Sequence, residues 1–349
     1  MTSSRSCRSD CLKGLRCLDN DIALNVLNEY GIVPDDIKLI QSGTIKTVWK
    51  LTTGGRQLCL KRLKQTIDKA LFSVNAQIYI KNSGGLVPGV VFNTKGDAVT
   101  EYNGQLFVVY EWIDGKDLNF SNPADLRSAL QGLAHFHMAS KGYTAPEGSR
   151  VSSKLGKWPD QYTSMRNKMA SWKELAVQNS SAAQHSAYAA NIDSMLSLAD
   201  RALTMLSKSK YAELTGPDSS APVLCHQDYG KGNALAAVNG VYVLDLDGVT
   251  FDLAARDLRK IIGKNAENSR QWSAKAVLDI IGWYSEVNRI SGEELDVLYA
   301  DLMYPHWFYG LVKNLYQNGK SLKASEIEKT ASLESSKEEV LKLCFRRSD

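Results

Sequence analysis

Between Ile37 and Lys61 apolar and polar residues alternate with a period of two in three runs, Ile37–Gln41, Thr47–Thr53 and Arg56–Lys61. That period sends successive side chains to opposite faces and predicts three strands. Gly54-Gly55 between the last two is a tight hairpin signal. Ahead of them, Ile22, Leu24, Val26 and Leu27 give Asp21–Tyr30 the spacing of a short amphipathic helix. Ala70–Lys81 predicts a second helix that stops near Ser83-Gly84-Gly85. Ala98–Tyr102 and Gln105–Glu111 flank an Asn103-Gly104 turn as two further strands. These elements make a small antiparallel α+β lobe.

Beyond Asp114-Gly115 the pattern becomes helical. Asn122-Pro123 starts a helix through Leu126, Leu130, Leu133 and Phe136 to about Ser140, with its apolar residues on one side. Further helices are predicted over Gln161–Gln178, Tyr188–Ser207, Leu253–Ile262, Trp272–Val287, Glu293–Leu302 and Pro305–Gln317. Hairpins over Val223–Val249 interrupt them. The expected division is a disordered leader over 1–18, a nucleotide-binding N-lobe over 19–113, a C-lobe carrying the catalytic loop and acceptor side over 114–319, and a charged, partly helical tail over 320–349. A small β-rich lobe followed by a large helical one is the plan of kinase-like folds.

The candidate chemistry lies in Leu224-Cys-His-Gln-Asp-Tyr-Gly230, Asn233 and Leu244-Asp-Leu-Asp247. Moving a γ-phosphoryl group requires a carboxylate to orient the acceptor and oxygen ligands to hold Mg²⁺ against the phosphates. Asp228 behind a short apolar run suits the first task, with His226 bracing the loop. Asn233, five residues on, and Asp245, at the end of an apolar strand, suit the second. Asp245 and Asp247 alternate with leucines, which places both carboxylates on one strand face and gives Asp247 a supporting part. Taken singly, Asp228-Tyr-Gly also reads as an ordinary turn and Asn233 as an Asx turn. Lys61 closes the third strand and shares a face with Cys59; it is either a phosphate-binding lysine or an edge-strand charge. The turn with Ser42 and Gly43 offers backbone N–H groups to phosphates. Glu111 and Ile113, where the apolar strand runs into Trp112 and Asp114, offer backbone groups to an adenine edge.

Composition narrows the picture further. A hydrophobic share of 44% with 23% charged residues is that of an ordinary soluble protein, and a formal charge of +4 with dispersed Lys and Arg argues against a nucleic-acid partner. No apolar run approaches the roughly 18 residues a membrane-spanning helix needs. Cys7, Cys11 and Cys17 cluster in the leader at spacings that fit no zinc pattern, whereas Cys59 and Cys225 read as small core residues. His135 and His137 lie two apart on a helix, face different ways and read as structural. The aromatic run from Tyr304 to Tyr309 reads as helix packing or an acceptor pocket.

Together these motifs resemble the aminoglycoside-phosphotransferase-like kinase superfamily: His226, Asp228, Asn233, Asp245 and the helix start Asp257-Leu258 stand in its order. Phe107–Gly115, Lys154–Pro159, Leu224–Gly230, Leu244–Gly248, Phe251–Leu253 and Arg256–Arg259 look like the CotS/CotI-type spore-coat branch, over about Ile37 to Asn318. The resemblance implies a two-lobed protein-kinase-like fold with ATP as donor and Mg²⁺. It also implies synthesis in the mother-cell cytoplasm and residence in the spore coat, with a small-molecule or protein acceptor and other coat proteins as partners. Two departures stand out. Gln227 replaces a glycine found in many relatives, and Ala70–Lys81 has no acid to pair with Lys61, only the amides Asn75 and Gln77. An amide can hold the lysine without the charge-assisted part of the interaction. The chain is therefore expected to be either a phosphotransferase acting on a hydroxyl or a non-catalytic pseudokinase serving coat assembly.

Overall fold

The computed structural model describes residues 20–41 and 47–345. The leader with its three cysteines and the 42–46 turn, including Ser42 and Gly43, lie outside the described residues. The chain forms two compact units. The first takes Met1–Leu118, Gly142–Ser152 and Gly232–Val249; the second takes Asn119–Lys141, Ser153–Lys231 and Thr250–Asp349. The 232–249 segment, which the linear reading assigns to the C-lobe, therefore packs with the first unit.

In the first unit a helix over 20–28 (α1) precedes strands β1 (Asp36–Gln41), β2 (Thr47–Thr53) and β3 (Arg56–Leu63). Helix α2 (Ile67–Asn82) comes next, then β4 (Val90–Val91), β5 (Thr100–Tyr102) and β6 (Gln105–Glu111). The sheet is antiparallel in the order β1-β2-β3-β6-β4, with β5 also on β6. Gly54 and Gly55 both take positive φ in the β2–β3 turn, the conformation a two-residue hairpin requires. β6 is apolar without alternation because both of its faces are covered. Phe107 and Val109 join Trp49, Leu51, Leu58, Leu60 and α1 residues on one side. Leu106, Val108 and Tyr110 join Ala70 and Val74 of α2 on the other. A second, three-stranded sheet pairs Ala234–Ala237 with Gly240–Val243 and with Lys116–Asp117. Gly115 is required there, since a Cβ would lie 2.5 Å from the Ala236 carbonyl oxygen.

The second unit is mostly helical, with the two-stranded pair Val223–Cys225 and Thr250–Asp252. Asn122 caps the Pro123–Ser140 helix by accepting from the N–H groups of Ala124 and Asp125. Trp158, fully buried, stacks on Tyr162 and Tyr211. The segment read as a charged, partly helical tail contains a single helix, Ala324–Cys344, with a buried ion pair between Lys337 and Glu334. Glu334 accepts from the N–H groups of Trp307 and Phe308, while Lys337 donates to the Tyr304 carbonyl. The aromatic run is thereby used in helix packing: Tyr304 and Phe308 are fully buried. No helix among the described residues is long and apolar enough to cross a membrane.

Candidate active site

The first unit encloses a cavity of about 510 Å³. Its walls come from β1–β3 (Ile40, Val48, Cys59, Lys61), α2 (Gln77), the end of β6 with the adjoining segment (Tyr110–Gly115), and the 232–249 segment (Asn233, Leu235, Leu244, Asp245). Register decides which residues of β3 face it. Leu58 and Leu60 are spent on the core, so Cys59 and Lys61 point to the cavity.

Lys61 is 8% exposed, and its ammonium donates to Asp245 Oδ1 at 2.9 Å and Asp247 Oδ1 at 2.7 Å. Burial alone would lower its pKa, but the facing Asp247 and Asp245 carboxylates outweigh that and raise it. The two acids do not share a strand face as the leucine alternation predicts. The strand ends at Val243, Asp245 takes a left-handed φ of 64°, and Leu246–Gly248 forms a 3₁₀ turn, so the period of two is broken between them. They meet at Lys61 through that corner instead. The Leu244 N–H donates to the Asn233 carbonyl at 3.0 Å, which ties Asn233 to the same corner. Oxygen donors from Asp245 and Asn233 on one cavity wall fit a hard cation such as Mg²⁺.

Neither amide of α2 holds the lysine. Gln77 donates to the Pro88 carbonyl at 2.6 Å, and Asn75 donates back to Leu71 at 2.8 Å. The helix starts earlier than its periodicity predicts and so includes Asp68, but that half-buried acid accepts from Thr66. At the end of β6 the Glu111 carboxylate accepts from the Gly89 N–H at 2.9 Å and from Lys81 at 3.1 Å. The hydrogen bonds from Lys81 and Gly89 outweigh partial burial and lower its pKa. Its side chain is thereby occupied by these two donors.

Asp228 and His226 belong to the second unit, in the loop after Val223–Cys225. Asp228 is exposed, and its N–H donates to His226 Nδ1 at 3.2 Å. Buried Asp257 accepts from the His226 N–H at 2.6 Å, the Gln227 N–H at 2.9 Å and the ring of His137 at 3.2 Å. Burial would raise the Asp257 carboxyl, yet His137 and the loop amide outweigh it and lower its pKa. Gln227 has φ 72°, a conformation unfavourable for a residue with a Cβ. Its carbonyl accepts from Lys260 and its Oε1 from Arg256 at 3.4 Å, contacts that pin the strained position. In the sequence, Asp257 stands out only through the family-like helix start, and Lys260 carries no signal at all. His137, Cys225 and Asp257 offer ligand atoms within 4.8 Å of one another, but the His137–Asp257 hydrogen bond and the loop amides already engage the carboxylate.

Beside this loop, buried Asp252 accepts from Trp158 Nε1 at 3.2 Å and faces Arg256 at 3.7 Å. Burial dominates and pushes its carboxyl up to about 7 despite Arg256. The folded protein thus keeps a proton that the unfolded chain releases, so this group's contribution to stability is present at low pH and lost as pH rises toward 7. Urea midpoints of Asp252→Asn should lack that downward slope between about pH 4 and about pH 7.

A family model described as "Spore coat putative kinase YutH" matches residues 26–343. The chain is 22% identical to Spore coat protein S of Bacillus subtilis (strain 168) over 328 residues, 93% of each chain. In three dimensions it is similar to the aminoglycoside phosphotransferase from Alicyclobacillus acidocaldarius subsp. acidocaldarius, with a TM-score of 0.73 at 16% identity over 92% of this chain and 93% of that one. It is also similar to the amicoumacin kinase hAmiN in complex with AMP-PNP, Ca²⁺ and Ami, with a TM-score of 0.59 at 14% identity over 97% of each chain. These structural likenesses establish the α+β fold of the aminoglycoside-phosphotransferase type. With its family model matched over nearly its whole length, the chain belongs to the YutH family of kinase-like spore-coat proteins.

Proposed function

We propose that this is a spore-coat protein that binds ATP with Mg²⁺ and transfers the γ-phosphoryl group to a hydroxyl acceptor. The observation that carries the reading is the buried Lys61 meeting Asp245 and Asp247 at the wall of a cavity that Asn233 also lines. In this reading Lys61 binds the α- and β-phosphates, and the backbone of Glu111 and Ile113 pairs with the adenine edge. Asp245 and Asn233 would hold Mg²⁺, which neutralises phosphate charge when bound. Asp228 accepts the proton of the acceptor hydroxyl as its oxygen bonds to phosphorus, with ADP as leaving group. His226 braces the loop, and Asp247 supports Lys61. The coat placement rests on family membership and on the likeness to Spore coat protein S.

The second reading, a pseudokinase serving coat assembly with other coat proteins, is favoured by one observation: no acid of α2 meets Lys61, since Asp68 is bonded to Thr66. A thermal-shift titration tests occupancy first. A ligand present at 100 times its Kd stabilises the folded state by about 2.7 kcal/mol, so Mg-ATP should raise the melting temperature by several degrees. No shift at millimolar nucleotide overturns the nucleotide reading. A shift without phosphate transfer to any hydroxyl acceptor selects the pseudokinase.

A further inference from the structure

We infer that Asp247 is the positioning residue for Lys61, taking over a task that no acid of α2 performs. The inference rests on the functional proposal in one respect, that Lys61 serves the nucleotide phosphates.

Two carboxylates touch Lys61, and their surroundings divide the work between them. Asp245 lines the cavity and sits at the left-handed corner beside Asn233. Asp247 is absent from the cavity wall among the described residues, although it makes the shorter contact with the ammonium, 2.7 Å against 2.9 Å. The backbone at Asp247 is anchored as well. Its carbonyl accepts from Gln65 Nε2 at 2.7 Å, and Gln65 Oε1 accepts from Ser73 Oγ at 3.3 Å. Ser73 is a buried residue of α2, so a relay from helix to amide to 3₁₀ turn ends on the lysine. The helix therefore still governs Lys61, through a carboxylate supplied by a different segment.

The division has a chemical consequence. A cation held at the cavity wall would draw on Asp245, and an ammonium that depended on Asp245 alone would then lose its partner. Asp247 would keep a charge-assisted hydrogen bond to Lys61 in both situations and so hold its aim.

The test is the accessibility of Lys61, read in nucleotide-free full-length protein by brief amine acetylation and peptide mass mapping. Asp247→Asn should raise the Lys61 labelling rate by about tenfold, the loss of roughly one charge-assisted hydrogen bond. Asp247→Glu should restore most of the protection. Gln65→Leu, which keeps both carboxylates and cuts only the relay, should give an intermediate rate, and it secures the test if Asp247→Asn folds poorly. Asp245→Asn, which removes the longer of the two contacts, should accelerate labelling by less than Asp247→Asn does. Unchanged labelling in Asp247→Asn and Gln65→Leu, or a larger acceleration in Asp245→Asn than in Asp247→Asn, overturns the assignment. Because labelling needs no nucleotide, its outcome stands apart from that of the Mg-ATP titration: protection that depends on Asp247 in a protein showing no nucleotide shift keeps the positioning role and sinks only the functional reading.

Discussion

Asp228→Asn is expected to lower phosphate transfer by about 10²- to 10⁴-fold, the usual worth of a positioned general base, while the Mg-ATP thermal shift keeps its wild-type size. The two readouts separate because the cavity lies wholly in the first unit and Asp228 in the second. Folding should be indifferent to the change. The side chain is exposed, the amide has nearly the same shape, and the hydrogen bond to His226 Nδ1 comes from the backbone N–H. Transfer at the wild-type rate would remove Asp228 from the mechanism. Loss of the nucleotide shift along with transfer would show that the residue acts on occupancy.

Asp257→Ala carries the largest expected effect on stability. One fully buried carboxylate accepts from two consecutive loop amides and from His137, and the variant leaves all three donors without it. Breaking a buried, charged hub of this kind costs about 3–5 kcal/mol, a large fraction of the stability of most domains. Asp257→Asn should cost less, since its carbonyl can still accept one of the amides. The pH dependence has a definite sign. The carboxyl is held below its ordinary value in the fold, so its stabilisation is complete above that ordinary value and is lost as pH falls through the folded one. The urea midpoint of the wild type should therefore fall on the acid side, and that of the alanine variant should be flatter there. An Asp257→Ala midpoint equal to wild type at neutral pH would mean that the loop amides find other partners.

The strands and helices were legible because burial on one or two faces leaves a periodic trace. The β2–β3 hairpin and the Pro123 helix start coincide with their sequence signals, Gly54-Gly55 and Asn122-Pro123. β4 was not legible, since two residues after Pro88-Gly89 cannot display a period. The same limit explains the misreading of Asp245 and Asp247: alternation with leucines implies a strand only while φ stays negative, and a left-handed Asp245 leaves no mark in composition. The absence of an acid between Ala70 and Lys81 was visible as a gap, but what fills it was not. Gln65 and Ser73 are ordinary polar residues flanking a helix start, and their meaning depends on a backbone carbonyl far along the chain. Gln227 shows the converse, a departure apparent in sequence whose tolerance is explained only by Lys260, Arg256 and Asp257 around it.

The partners of Lys61 lie 184 and 186 residues further along the chain. During translation the lysine leaves the ribosome with the first sheet, whereas the acids that neutralise it emerge only after two stretches that belong to the other unit. A nascent chain extending to Leu118 would have to bury that ammonium alone, at a cost of several kcal/mol, or leave β3 frayed in solvent. The wall of the cavity consequently cannot be completed before the chain has reached Leu246, and closing so long a loop is slow compared with pairing β2 and β3. Termination before Asp245 yields a fragment that keeps Lys61 without either of its carboxylate partners.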